Sequence, residues 1–184
     1  YLEQSNVTNC QLTSNEAIEG DGGGIFVQGS LSDIAVTSVI ADVYAAYNTA
    51  RNGGGLGSDK DVYVLSSSFM DNEASYRGGG IYAIGQAERW YPLVSLCQIE
   101  NNSAPQGGGA HIAEGDIMAS TITGNVASQW GGGLSLFKST ASQCTVNDNT
   151  ATTGGGGIWT GMGCSILDCV VTDNTLTDSA STGG

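Results

Sequence analysis

The glycines of this chain come in blocks, and the blocks recur. They begin at Gly22, Gly53, Gly78, Gly107, Gly131 and Gly155, with Gly183-Gly184 opening a seventh, so the steps are 31, 25, 29, 24, 24 and 28 residues. A self-similar period of this length is the mark of a solenoid, in which each unit is too small to bury its own apolar face and must stack on the next.

Other positions keep step with the glycines. An asparagine column runs Asn15, Asn48, Asn72, Asn102, Asn125, Asn149 and Asn174, followed two residues on by Ala17, Ala50, Ala74, Ala104, Ala127 and Ala151, with Leu176 in the last unit. Three residues before each Asn lies Leu12, Ala45, Phe69, Ile99, Ile122, Val146 or Val171. Apolar positions inside a unit alternate with period two and not at the three-and-four spacing of a helix, so the units are read as strands. One helical alternative is Leu31 to Tyr47, where Ile34, Ala35, Ile40, Val43 and Tyr44 fall on one face. The spacing predicts an all-β, parallel β-helix of about seven coils, two or three short strands to a coil, spanning residues 1–184 as a single repeat domain. At a strand spacing of about 4.8 Å the rod would be about 33 Å long.

The alternation of Gly-Gly-Gly-aliphatic blocks with a phrase such as Phe69-Met70-Asp71-Asn72 resembles the repeats of the chlamydial polymorphic outer membrane protein family, whose members carry Gly-Gly-Ala-Ile and Phe-x-x-Asn motifs. Only one unit has the literal Phe-x-x-Asn, and the blocks here have a third Gly where the family often has Ala. The resemblance covers the whole chain. It implies a right-handed parallel β-helix displayed outside the cell or at its surface, commonly as an adhesin.

A formal charge of −13 and a pI near 4.1 make nucleic acid a poor partner. No run reaches the roughly 18 apolar residues that cross a bilayer. Because the chain opens with Tyr1, it is expected to be a processed product or a segment of something longer. Its last repeat stops at Gly183-Gly184 without a cap, so further coils or an identical subunit stacked head to tail are expected over Val171 and Leu176, the second option making a filament. Asn6-Val7-Thr8 and Asn101-Asn102-Ser103 are acceptor motifs for N-glycosylation.

Identical residues in every coil indicate architecture. The seven asparagines are expected to form an amide ladder and to take the left-handed turn conformation, and the glycines to fill bends too tight for a Cβ. Cys10, Cys97, Cys144 and Cys169 share one column and read as small buried hydrophobes, although Cys144 and Cys169 lie in neighbouring coils and Cys164 is close to Cys169.

Two columns carry candidate function. The middle residue after each glycine block is Phe26, Gly57, Tyr82, His111, Ser135 or Trp159, and the alternation predicts that it points to solvent. Exposed rings at Phe26, Tyr82, His111 and Trp159 would stack on a glycan or anchor a host surface protein. Asp148 and Asp173, each just before a ladder Asn, are a candidate Ca²⁺ pair, since stacked carboxylates repel unless a cation or proton lies between them. No other cofactor is implied. A β-helix carbohydrate-active enzyme, lyase or hydrolase, is the rival to a structural or adhesive solenoid. Against it, Arg51, Lys60, Arg77, Arg89 and Lys138 are the chain's five cations and His111 its one imidazole, with Arg51 and Arg77 placed in loops before the glycines. The irregular insert Gln86 to Pro92 is the best candidate for a cleft wall.

Overall fold

The computed structural model describes residues 5–28, 37–86 and 91–178. Gly183-Gly184, Arg89 and most of the Gln86 to Pro92 insert lie outside the described residues, as do residues 31–36 of the Leu31 to Tyr47 segment. The rest of that segment contains the strands Ser38–Ala41 and Tyr44–Ala46, so a helix does not form there.

One coil shows the plan. Asp116–Met118, Thr121–Thr123, Val126–Trp130 and Leu134–Phe137 are four short strands joined by sharp corners, and each pairs in parallel with the equivalent strand of the coils before and after. Stacking builds four sheets, numbered 1 to 4 in the order the chain meets them: three of seven strands and a fourth of six. The coil therefore has four strands where two or three were expected. The count of about seven coils is also slightly high, because among the described residues six coils are complete, the last has three strands, and five have a coil on either side.

The corners between sheets 1 and 2, 2 and 3, and 3 and 4 each have a left-handed residue in every described coil. Between sheets 2 and 3 it is Ser14, Tyr47, Asp71, Asn101, Gly124, Asp148 or Asp173, with φ between 52° and 67°. This corrects the expectation for the asparagines: the residue before the ladder Asn makes the turn, which leaves the Asn backbone free to sit in register while its amide points inward. Between sheets 3 and 4 the first glycine of each block does the same, at φ 69° for Gly131. Its neighbours serve different ends. A Cβ on Gly132 would strike the carbonyl oxygens of Gly156 and Thr150 in the next coil, and one on Gly133 would press on the Asn149 amide at 2.9 Å. Three successive glycines thus answer three constraints: dihedral, backbone approach and side-chain packing.

Alternation sends one column of each sheet inward. Val64, Val94, Ile117 and Ala141 from sheet 1, Phe69, Ile99, Ile122 and Val146 from sheet 2, and Leu56, Ile81, Ala110 and Leu134 from sheet 4 are all fully buried. At the last described coil the same columns, Ile166 and Val171, are exposed. Coil-on-coil contact is what hides the core.

Inside the corner between sheets 2 and 3 the asparagines bond to one another. Asn125 donates its backbone N–H and its Nδ2 to Asn149 Oδ1, both at 2.9 Å, and accepts the same pair from Asn102 at 2.9 and 3.0 Å. Its second amide hydrogen goes back to the Ile99 carbonyl at 2.9 Å. The pattern links Asn15, Asn48, Asn72, Asn102, Asn125, Asn149 and Asn174 without a break. The cysteine column lines the corner between sheets 1 and 2, and all five cysteines are free thiols. Ser67 Oγ accepts the Val43 N–H, Ser120 Oγ that of Cys97, and Cys169 Sγ that of Cys144. Hydroxyl and thiol do one job here, which explains their interchange along the column. Burial raises the thiols of Cys97 and Cys144 to about 11 and keeps them inert.

Candidate functional site

The column expected to face solvent is exposed only in part. Among its rings only Phe26 is truly exposed, at 44%; Tyr82 and Trp159 are half-buried, and His111 and Ser135 are 7% and 0% exposed. The side chains do point away from the core, as strand alternation requires, yet other side chains flank them.

The flanking column comes from sheet 3. Register places Asn52, Arg77, Gln106 and Trp130 in successive coils, each immediately before a glycine block. The strands Glu73–Arg77 and Val126–Trp130 carry one residue more than their partners Thr49–Asn52 and Ser103–Gln106, and the register shifts before Arg77 and Gln106 record a bulge. A bulge bends a strand and re-aims its end. Arg77, Gln106 and Trp130 thus stand at the edge of sheet 4 as a wall; Arg77, like Arg51, lies in a strand and not in a loop.

The opposite wall belongs to sheet 4 itself. Ile84, Ala113 and Phe137 share one register position two residues beyond the floor residues Tyr82, His111 and Ser135. Floor and walls enclose a groove of about 230 Å³ lined by Arg77, Ile84, Gln106, His111, Ala113, Trp130, Phe137 and Trp159. A hollow of about 530 Å³ over sheet 3 is larger. It is shallow, however, and bounded by Ile18, Glu19, Arg51, Ser75 and Tyr76, most of them freely exposed, so the groove is the better-built site.

Aromatic contacts organise the groove. Tyr82 and His111 stack with centroids 5.7 Å apart and planes at 15°, and Trp130 and Trp159 meet at 5.5 Å and 32°. Along the wall Arg77 Nε donates to Gln106 Oε1 at 2.9 Å, and Gln106 Nε2 donates to Gln129 Oε1 at 3.1 Å. Arg77 also donates to the Tyr76 hydroxyl at 3.0 Å and lies 4.4 Å over its ring. Burial, with the nearby Arg77 charge, lowers the His111 imidazole to about 3, so it is neutral. Its Nδ1 is 3.0 Å from Ser135 Oγ. A serine against a histidine is the kernel of nucleophilic catalysis, but this serine is wholly buried and this imidazole is a poor base.

The other sequence candidates lie elsewhere. Asp148 and Asp173 occupy exposed left-handed corners, a conformation short polar residues tolerate, and Asp148 Oδ2 accepts from Asn147 Nδ2 at 2.6 Å. Among the described residues no group of three or more His, Cys, Asp or Glu comes together to hold a metal. Asn6 and Asn101 are both exposed, Asn101 in a left-handed corner. No helix among the described residues is long and apolar enough to cross a membrane. What sequence reading missed was the wall. Its signal was the residue directly preceding each glycine block, which changes from coil to coil and so hid among the repeats.

Comparison with known proteins agrees with this architecture. Residues 1–176 match the family described as the right handed beta helix region. This chain belongs to the right-handed β-helix family. The β-helix protein is also 26% identical over 127 residues to the probable outer membrane protein pmp20 of Chlamydia pneumoniae, a match that covers 66% of this chain and 7% of that protein. The earlier resemblance to polymorphic outer membrane protein repeats rests on the same kinship. No solved structure matches the chain.

Proposed function

We propose that this β-helix protein is a non-catalytic, adhesive solenoid displayed at a cell surface, and that it holds its ligand in the groove of sheet 4. The observation that carries the reading is the groove itself, where four aromatic side chains and an arginine converge on the outer face of an otherwise regular rod. Large rings half-buried against one another form a preorganised surface that gains contact area at low entropic cost. The relative's description as an outer membrane protein supports the surface location.

The lining chemistry also supports the absence of catalysis. Glycoside hydrolysis uses a pair of carboxylates and a lyase needs a base beside the substrate, whereas among the described residues the lining has no carboxylate and its imidazole is neutral down to about pH 3. The test is adhesion of the purified chain, coupled to beads, to candidate cell surfaces. Trp130→Ala and Trp159→Ser should abolish capture and leave the circular dichroism spectrum unchanged. Capture that survives both substitutions would place adhesion elsewhere on the rod.

A further inference from the structure

We propose that the groove takes a neutral, hydroxyl-rich glycan lying along the solenoid axis, with one pyranose ring seated over Ala113 and His111 between Ile84 and Phe137. The inference rests on the adhesive reading above and names the class of ligand.

Each ligand class that stacks on rings can be weighed against what the groove offers. Nucleobases stack well, but their phosphates meet a chain of formal charge −13. The same charge disfavours uronate-rich or sulfated chains, and Arg77, the one charged residue among the described lining residues, already donates to Gln106 and Tyr76. An extended peptide gains much of its affinity by adding to an unpaired strand edge. Here the floor strand Ala110–Ala113 is paired on both sides, with Ile81–Ile84 and Leu134–Phe137, so no backbone edge is open to it. What remains is an uncharged ligand with flat C–H faces and many hydroxyls.

A pyranose ring has both. Its apolar faces match the indoles and Phe137. Its hydroxyls, each donor and acceptor at once, match the hydrogen-bonding capacity left in the lining: the Gln106 amide keeps one N–H and one lone pair beyond its bonds to Gln129 and Arg77, and the neutral His111 keeps Nε2, its Nδ1 being engaged by Ser135 Oγ. The seat is set by size. Ala113 occupies the wall position that Ile84 and Phe137 hold one coil away on either side, and its small side chain opens the hollow between them. Since the lining repeats once per coil, about every 4.8 Å, a linear polymer along the axis meets a new set of contacts with each unit.

The experiment titrates the full chain with neutral hexose and N-acetylhexosamine oligomers, following tryptophan emission and heat, with a uronate oligomer and an unglycosylated peptide as comparators. Neutral oligomers should bind and shift the emission, more tightly as they lengthen. Ala113→Phe fills the seat with a side chain that the next coil already accommodates at Phe137, so the fold is retained. This variant and Trp130→Ala should each weaken binding about tenfold or more, the equivalent of a lost stacking contact. Absence of binding at millimolar oligomer, preference for the uronate or the peptide, or undiminished affinity in Ala113→Phe would overturn the proposal. Bead adhesion to cells before and after periodate oxidation of their glycans separates the two readings. Groove-dependent capture that persists after oxidation ends the glycan inference and leaves adhesion standing, whereas no capture even of untreated cells counts against adhesion while the titration decides the glycan.

Discussion

Two columns of this rod repeat once per coil and could hardly differ more. In the corner between sheets 2 and 3 every coil supplies Asn, and interior members such as Asn48, Asn102, Asn125 and Asn149 are fully buried. On the outer face of sheet 4 the equivalent column reads Phe26, Gly57, Tyr82, His111, Ser135, Trp159, with no residue used twice. Each ladder amide must satisfy the coil above and the coil below, so a change in one coil strands donors and acceptors in two others. The sheet 4 column asks only for a residue compatible with a strand. Uniformity therefore marks where the fold is held, and variation marks where the rod is free to specialise.

The comparison can be broken most severely with glycine. Gly132 and Gly154 lie in adjacent coils, but a Cβ on the first meets backbone oxygens of the next coil, whereas one on the second finds nothing nearer than 3.5 Å. Gly132→Ala should cost at least about 3 kcal/mol and impair soluble expression, because backbone cannot yield as a side chain can. Gly154→Ala should stay within about 0.5 kcal/mol in urea unfolding. Equal stability of the pair would mean that coil spacing is looser than the stacked backbones imply.

Asn125→Ala comes next. It removes the acceptor for two Asn102 donors and the donor to Asn149, and should cost about 3 kcal/mol. Asn6, exposed and outside the ladder, should lose less than about 0.5 kcal/mol on the same change. Matching denaturation midpoints for the two variants would remove the ladder from the account of stability.

A third effect distinguishes the columns by pH. His111 is held at about 3 by burial, below its ordinary 6.5, so the unfolded chain binds a proton that the native chain refuses. Its contribution is fully present above about pH 6.5 and is lost as pH falls toward 3. His111→Gln should flatten part of this acid loss, measured as stability at pH 7 against pH 4, while Asn125→Ala should keep the wild-type slope. An unchanged slope in His111→Gln would mean that the imidazole is more solvated than its surroundings suggest.

Within the groove, Trp159→Ser should cost only about 1 kcal/mol, since the indole is half-buried and packs on Trp130. A loss comparable to that of Asn125→Ala would show that the groove belongs to the architecture and not to recognition.

How much of this was legible beforehand follows the same division. Every feature that depends on contact along the axis appeared as a repeated column: the strands, the parallel stacking, the ladder asparagines, the inward aliphatics and the cysteines. Corners were harder to read. The left-handed residue between sheets 2 and 3 proved to be the variable one, such as Tyr47 or Asp148, and not the invariant Asn after it.

The sequence by itself determined a stacked, parallel, all-β solenoid, because each coil presents its neighbour with the surroundings it receives, and equal surroundings select equal residues. Only the tertiary structure decided where the outer surface is hollow. Arg77, Gln106 and Trp130 belong to sheet 3, and they reach the rings of sheet 4 across a corner whose angle is set by the left-handed glycine and the bulge before it. Contacts across that corner join residues of unlike columns, so they leave no period in the chain, and the backbone path alone brings them within reach of one ligand.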